Sequence, residues 1–202
     1  MEKYVFEAKT EEELILNALN ELNVKEDELL YTTREETSGL LKKKKYIMEV
    51  VLKSDVLEFA KSYIKDIVEG MGLDVTLETR RTANNLQIKL HSSNSSILIG
   101  KNGRTLTSLQ TLVRQAVQVQ TGMFVNIILD VENYKEKQHK NIEFLAKKLA
   151  REVQKTKMDV KMDSMNSFER RLVHEVLKDF KGIKTESEGE EPNRSVVIKS
   201  ID

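Results

Sequence analysis

Two glycines three positions apart, Gly100 and Gly103, bracket Lys101 and Asn102 in the stretch SSILIGKNGRTLTSLQTLVRQAV, Ser95 to Val117. A helix that needs only a stop uses one glycine. Two of them leave bare backbone that a sugar-phosphate chain can approach without meeting a Cβ. A helix opening at Gly103 also points free N–H groups and the positive end of its dipole at an anion. Lys101 and Arg104 add charge, Asn102 adds hydrogen-bonding capacity, and Ile99 closes the apolar run before the loop. Taken alone, the pattern also describes a plain helix–helix turn. It is not a nucleotide-triphosphate loop, because GxxxxGK[ST] needs glycine where Ser95 stands.

A second constellation lies near the C-terminal end. Arg170 and His174 are four residues apart and share one face of a helix, a spacing equally at home in a solvated pair. The remaining chemistry is sparse. His91, His139 and His174 fall on different elements and form no HExxH or zinc-type cluster. Asp159 and Asp163 are four apart, but Val160, Lys161 and Met162 read as extended, which favours a solvated pair over a shared metal. No GxSxG motif is present, and without cysteine neither thiol catalysis nor a thiolate zinc site is available. The residues predict no enzyme, no cofactor and no metal, with a metal-dependent nuclease as the enzymatic alternative.

These groups need elements to carry them. YVFEA reads as a strand with Tyr4 and Phe6 on one face, and Thr10 with Glu13 forms a capping box ahead of EEELILNALNEL. Its apolar stripe is Leu14, Ile15, Ala18, Leu19 and Leu22. LLYTTRE and YIMEVVL are further strands, joined by ETSGLLKKKK, whose lysines Lys42 to Lys45 read as a solvated face or edge-strand protection. SDVLEFAKSYIKDIVEGMG is a helix with Ser54 or Asp55 as its cap and Gly70 or Gly72 as its stop. LDVTLETRR and LQIKLH form a hairpin across Ala83-Asn84-Asn85. SNSSILIG is a short helix, Gly103 onward a longer one halted by Gly122, and MFVNIILDV a strong strand.

A long basic helix, YKEKQHKNIEFLAKKLAREVQKT, comes next, with Ile142, Leu145, Ala146, Leu149 and Val153 as its apolar stripe. DVKMDSM is extended, and Asn166 with Glu169 caps FERRLVHEVLKDF, which Gly182 ends. ESEGEEPN reads as a loop holding the only proline, Pro192, and SVVIKSI as a closing strand. The fold class is α+β in three small domains: a βαββ unit over 1–53, an α-β-β-α-α-β unit over 54–134, and an α/β unit over 135–202.

Charge is local. The 202 residues carry 33 basic and 33 acidic side chains, which argues against a wholesale polyanion binder. Residues 1–53 have a net charge of −3, whereas 135–161 hold 9 basic against 4 acidic residues, a positive strip or an ordinary solvated face. No run approaches the roughly 20 apolar residues of a membrane span, and the N-terminus lacks the pattern of a signal peptide. A cytoplasmic protein without direct membrane insertion is expected.

The element order around GKNG resembles a KH domain, whose GXXG loop clamps about four nucleotides of a single strand, in the variant with its extra helix at the N-terminal end. ERRLVH behind a capped MNSFE, with EPNRSVVI downstream, resembles the R-3-H domain, named for an arginine and a histidine three residues apart and associated with single-stranded nucleic acid. The full arrangement, with a βαββ unit in front, resembles the Jag, or SpoIIIJ-associated, family of bacteria. That family usually carries a basic-Gly-Phe-Leu-Gly motif in its first domain; ETSGLLKKKK has neither the phenylalanine nor the second glycine. The long charged linker common before the KH domain is absent.

The resemblance implies a non-catalytic RNA-binding protein, with single-stranded DNA as another ligand, in post-transcriptional control and cell elongation or division. It implies nucleic-acid contacts at Ile99, Gly100, Lys101, Asn102, Gly103 and Arg104, and at Arg170, Arg171, His174 and Arg194. Arg170 would fork onto a phosphate and His174 would donate to one or stack on a base, more strongly below pH ~6.5. Implied partners are a small single-KH-domain protein or a second copy through the KH domain. The membrane insertase or cell-wall enzymes would be met through residues 1–53. A protein-interaction scaffold is the alternative to RNA binding.

Overall fold

The structure, a computed structural model, describes residues 1–38, 43–81 and 85–201. The turn at Ala83-Asn84 and Lys42 of the lysine run lie outside the described residues. The chain divides into two compact units, residues 1–132 and 133–202, and its architecture is α+β.

In the first unit, β1 (Tyr4–Ala8), α1 (Glu11–Leu22), β2 (Leu29–Ser38) and β3 (Lys43–Leu52) give a three-stranded antiparallel sheet of order β1-β3-β2. The Thr10 hydroxyl accepts from the Glu13 N–H at 3.2 Å, while the Glu13 carboxylate reaches back to the Lys9 N–H. Leu14 and Ala18 then pack on Phe6, Leu29, Met48 and Val50. β3 is the central strand, hydrogen-bonded along both edges, and its other face is buried as well, at Ile47 and Val51. Lys43 to Lys45 therefore do not protect an edge. Lys44 pairs with Glu35 on β2 at 2.9 Å and Lys45 with Glu7 on β1, so cross-strand carboxylates neutralise these two.

No linker separates this sheet from the next helix. α2 (Lys53–Gly70) begins at the residue after β3. Extended Leu52 stands at the cap position, so neither Ser54 nor Asp55 caps the helix; Ser54 instead donates to Asp55. β4 (Thr76–Arg81) and β5 (Leu86–His91) are an antiparallel pair, and β6 (Ile127–Val131) adds to β5 in parallel. Between β5 and β6 run α3 (Ser95–Ile99) and α4 (Arg104–Thr121). Leu98, Leu106, Leu109, Val113 and Val117 are buried, as are Ile88, Leu90, Ile127 and Leu129. α4 also shields the edge of β6: Gln110 accepts from the Leu129 N–H at 3.0 Å, and Arg114 donates to the Ile127 carbonyl at 2.7 Å. That order, α-β-β-α-α-β, is the one read from the sequence.

The second unit contains α5 (Tyr134–Thr156), β7 (Val160–Ser164), α6 (Ser167–Leu177), β8 (Ile183–Glu188) and β9 (Ser195–Ser200), with an antiparallel sheet of order β7-β9-β8. Its core joins Ile142, Ala146, Ala150 and Val153 of α5 to Val173 and Leu177 of α6 and to Met162, Ile183, Val196 and Ile198 of the sheet. Two expectations need correction. α6 stops at Leu177, so Gly182 (φ +75°) turns the chain into β8 rather than ending the helix. The segment from Ile183 to Glu188, half of it expected as loop, is an edge strand; Ile183 alone is apolar, so it shows no alternation to detect.

Candidate nucleic-acid interface

The glycine loop has a backbone that dictates its residue types. Gly100 ends α3 at φ +69°, ψ 178°, a region essentially closed to side-chain-bearing residues. A Cβ there would lie 2.8 Å from Thr105 Cβ and 3.0 Å from the Thr105 nitrogen. Lys101 to Gly103 make one 3-10 turn, closed by the Gly103 N–H donating to the Gly100 carbonyl at 3.2 Å. Asn102 sits in the left-handed region at φ 53°, ψ 33°, which asparagine tolerates better than most residues.

Gly103, at φ +73°, is the N-cap of α4 and offers no capping side chain, and the first turn of α4 carries no acidic residue. The Gly103 and Arg104 N–H groups donate back to the Gly100 and Lys101 carbonyls; the next N–H groups of the helix have no intrahelical acceptor, so this end favours an anion. Lys101, Asn102 and Arg104 are exposed, Ile99 and Gly100 are half-buried, and Gly103 is buried. Lys101 makes no ion pair among the described residues. Of the six expected loop residues, Lys101, Asn102 and Gly103 make the turn, Gly100 leads into it, and Ile99 and Arg104 are the flanking ends of α3 and α4. Ile97, just before them, is 50% exposed; its place in an apolar run gives no sign of that exposure, so spacing alone does not mark it as a contact.

The second constellation is built differently. The Asn166 side chain accepts from the Glu169 N–H at 3.0 Å, and Glu169 accepts from the Asn166 N–H at 3.0 Å, completing the capping box. This orients α6 so that Arg170 and His174 face the protein. Arg170 is 8% exposed; its Nη1 donates to the Met165 carbonyl at 2.9 Å and to Glu191 at 2.7 Å. His174 Nδ1 lies 2.7 Å from Thr185 Oγ1, and Nε2 lies 2.9 Å from Ser187 Oγ. A hydroxyl can donate or accept, so a neutral imidazole satisfies both. Burial, helped by the neighbouring Arg170 charge, holds the His174 pKa below its ordinary value. Its charging in mild acid is therefore opposed, contrary to the expectation from an unperturbed ring.

Arg171 and Arg194 are exposed. Arg194 is fixed by its backbone, its carbonyl accepting from the Met165 N–H at 3.1 Å. Thr185 and Ser187, the partners of His174, escape sequence reasoning because they sit on a strand that the sequence does not announce. Also unforeseen is the tilted packing of the His139 ring against Phe168, with ring centroids 5.1 Å apart and Phe168 60% exposed. Asp159 accepts from the Ser200 N–H at 3.0 Å and so serves the sheet. Among the described residues no three His, Asp or Glu side chains are grouped to hold a metal. No helix there is long and apolar enough to cross a membrane.

Comparison with known proteins matches three family models in succession: the Jag N-terminus over residues 6–52, the KH domain of KhpA and KhpB over 57–129, and the R-3-H domain over 140–200. A Clostridium symbiosum protein named RNA-binding protein KhpB is 36% identical over 203 residues, covering 98% of this chain and 91% of its own length. A Bacillus subtilis protein of the same name is 33% identical, covering 93% of each chain. A Lactiplantibacillus plantarum protein, again so named, is 34% identical over 67% of this chain and 42% of its own length.

Proposed function

This chain belongs to the KhpB family, and from that premise we propose that it binds single-stranded RNA without catalysing a reaction. The observation that carries the reading is the loop from Gly100 to Gly103. Its backbone admits only glycine at the first position, and it opens onto an uncapped, acid-free helix N-terminus beside exposed Lys101. A phosphodiester is the ligand whose charge and bare approach suit that surface.

The ten residues take two roles. Ile99, Gly100, Lys101, Asn102, Gly103 and Arg104 are the RNA contacts of the first unit, and exposed Arg171 and Arg194 are those of the second. Arg170 and His174 support the second surface from behind, since their polar atoms already serve Met165, Glu191, Thr185 and Ser187. The domain division is 1–53, 54–134 and 135–202, with residues 1–53 for protein contact in view of their negative net charge. The setting is the cytoplasm and the role post-transcriptional. A small single-KH-domain protein or a second copy is the partner of the KH unit, and insertase or cell-wall enzymes are partners of residues 1–53.

Ultraviolet crosslinking of the chain in cells, with sequencing of what is attached, tests the reading. Enrichment of RNA over DNA supports it. A chain that recovers no nucleic acid, and fails to bind labelled RNA once purified, favours a protein-interaction scaffold. Incubating labelled RNA with Mg²⁺ or Mn²⁺ checks the enzymatic side, and intact RNA is the expected result.

A further inference from the structure

α5 carries its charge in two arrangements. Lys140 pairs with Glu136 at 2.6 Å and Lys147 with Glu143 at 2.5 Å, each a Glu-to-Lys step of four residues, the favourable orientation on a helix. Lys137, Lys148, Arg151 and Lys155 are not neutralised in this way and make no ion pair among the described residues. Their spacing is regular. With Phe144 they recur at intervals of seven, four, three and four residues, which confines all five to roughly 60° of the helix circumference.

Phe144 is 73% exposed. It faces away from the core, which α5 meets through Ile142, Ala146, Ala150 and Val153. Lys148, Arg151 and Lys155, with Glu152 and Thr156, line a shallow hollow of about 330 Å³. Three cations against one anion leave that hollow positive. From Phe144 to Lys155 the stripe runs for roughly 16 Å along the axis.

A stripe of unpaired cations with one exposed aromatic ring suits neither a core nor an ordinary solvated face, where alternating signs would pair as Lys140 and Lys147 do. It matches the two needs of a single strand: charge that tracks the phosphates, and a flat ring on which a base stacks. We propose that Lys137, Phe144, Lys148, Arg151 and Lys155 form an RNA-binding track on α5, separate from the α6 face of Arg170 and His174. Phe144 stacks a base, while Lys148, Arg151 and Lys155 hold the adjoining phosphates in the hollow. This rests on the proposed RNA binding and adds a site to it.

The test compares four full-length variants, one of them altered in the glycine loop, with the parent by fluorescence anisotropy on a labelled single-stranded oligoribonucleotide and on the same oligomer made abasic throughout. Lys148→Glu with Arg151→Glu and Lys155→Glu should weaken binding to both oligomers at least tenfold. It should also flatten the log–log salt slope by about 2, near 0.7 for each lost phosphate contact. Phe144→Ala should weaken binding to the intact oligomer about tenfold, within the range for one stacked base, and leave the abasic one unchanged. Phe144→Trp should retain affinity and show indole quenching when the intact oligomer binds.

All residues substituted on α5 lie on its outer face, away from its core contacts, so circular dichroism should match the parent; only the charge-reversed variant should melt slightly lower, since it places carboxylates in the last turn and four apart on the helix. Parental affinity and salt slope in the charge-reversed variant, beside a Lys101→Asp/Asn102→Asp variant that loses affinity, would overturn the track and leave the loop reading standing. A parent chain that binds neither oligomer overturns both. If the charge-reversed variant keeps RNA but no longer sediments with phosphatidylglycerol vesicles that hold the parent, the stripe serves an anionic lipid surface and the proposal is wrong.

Discussion

Arg170 donates to Glu191 across 2.7 Å, and that contact ties the first turn of α6 to the loop between β8 and β9. The same Nη1 serves the Met165 carbonyl, so one guanidinium fastens the strand-to-helix turn and the distal loop together. An arginine so placed stabilises the surface that carries Arg194.

Arg170→Ala should therefore act on stability first. It removes a part-buried, charge-assisted hydrogen bond to the Met165 carbonyl, and a hydrogen bond to a charged group is worth about 1.5–3 kcal/mol. Urea unfolding monitored by far-ultraviolet circular dichroism should show a lower midpoint. Arg170→Lys should fall between, because an ammonium on a flexible stem keeps the charge but does not hold the planar Nη1 geometry that meets both acceptors. Parental stability with a tenfold loss of RNA affinity would mean that Arg170 touches phosphate directly.

His174 should show the opposite of an acid-strengthened contact. Its folded pKa is depressed while the unfolded value is near 6.5, so protons bind the unfolded chain more readily. The stability it contributes is present above pH ~6.5 and is lost as pH falls through the lower folded value. Nuclear magnetic resonance of the ring protons should place its midpoint below that of a free histidine. His174→Asn should flatten the acid limb of the stability profile. RNA affinity that rises in the parent between about pH 8 and pH 6, and stays flat in the variant, would restore a charged His174 at the ligand.

Lys101→Asp combined with Asn102→Asp should reduce single-strand affinity at least tenfold, more than ~1.4 kcal/mol, with melting unchanged. Aspartate also tolerates the left-handed conformation of position 102, so the turn survives while two carboxylates face the phosphates. Gly100→Ala separates geometry from charge: its Cβ would collide with Thr105, at a strain of order 1–3 kcal/mol. Retained affinity in a folded Lys101/Asn102 double variant would remove the loop from the interface.

Lys44→Glu with Lys45→Glu should leave RNA affinity within about threefold, under ~0.7 kcal/mol, since both ammonium groups already face Glu35 and Glu7. Anisotropy at low salt is the sensitive measurement. A larger loss would bring residues 1–53 into the nucleic-acid surface.

Local chemistry made much of this protein legible from its residues. Helix periodicity marked Leu14 to Leu22 and, except for Leu112, which was expected on the buried stripe and is 45% exposed, Leu106 to Val117; capping side chains marked Thr10 and Asn166, and the spacing of Gly100 and Gly103 marked the loop. Each depends on neighbours within a few positions, and each is a property of short-range backbone geometry. The role of Arg170 and His174 is of another kind. Their i,i+4 spacing put them on one face, but whether that face meets solvent or protein depended on Thr185, Ser187 and Glu191, eleven to twenty-one residues away. Two of those partners lie on β8, an edge strand with too few apolar residues to announce itself; it forms because β9 supplies a ladder to pair with. Sequence spacing determined which side chains stand together, and only tertiary packing decided which of them were left for a ligand, because burial and hydrogen-bond partners come from chain segments that periodicity does not connect.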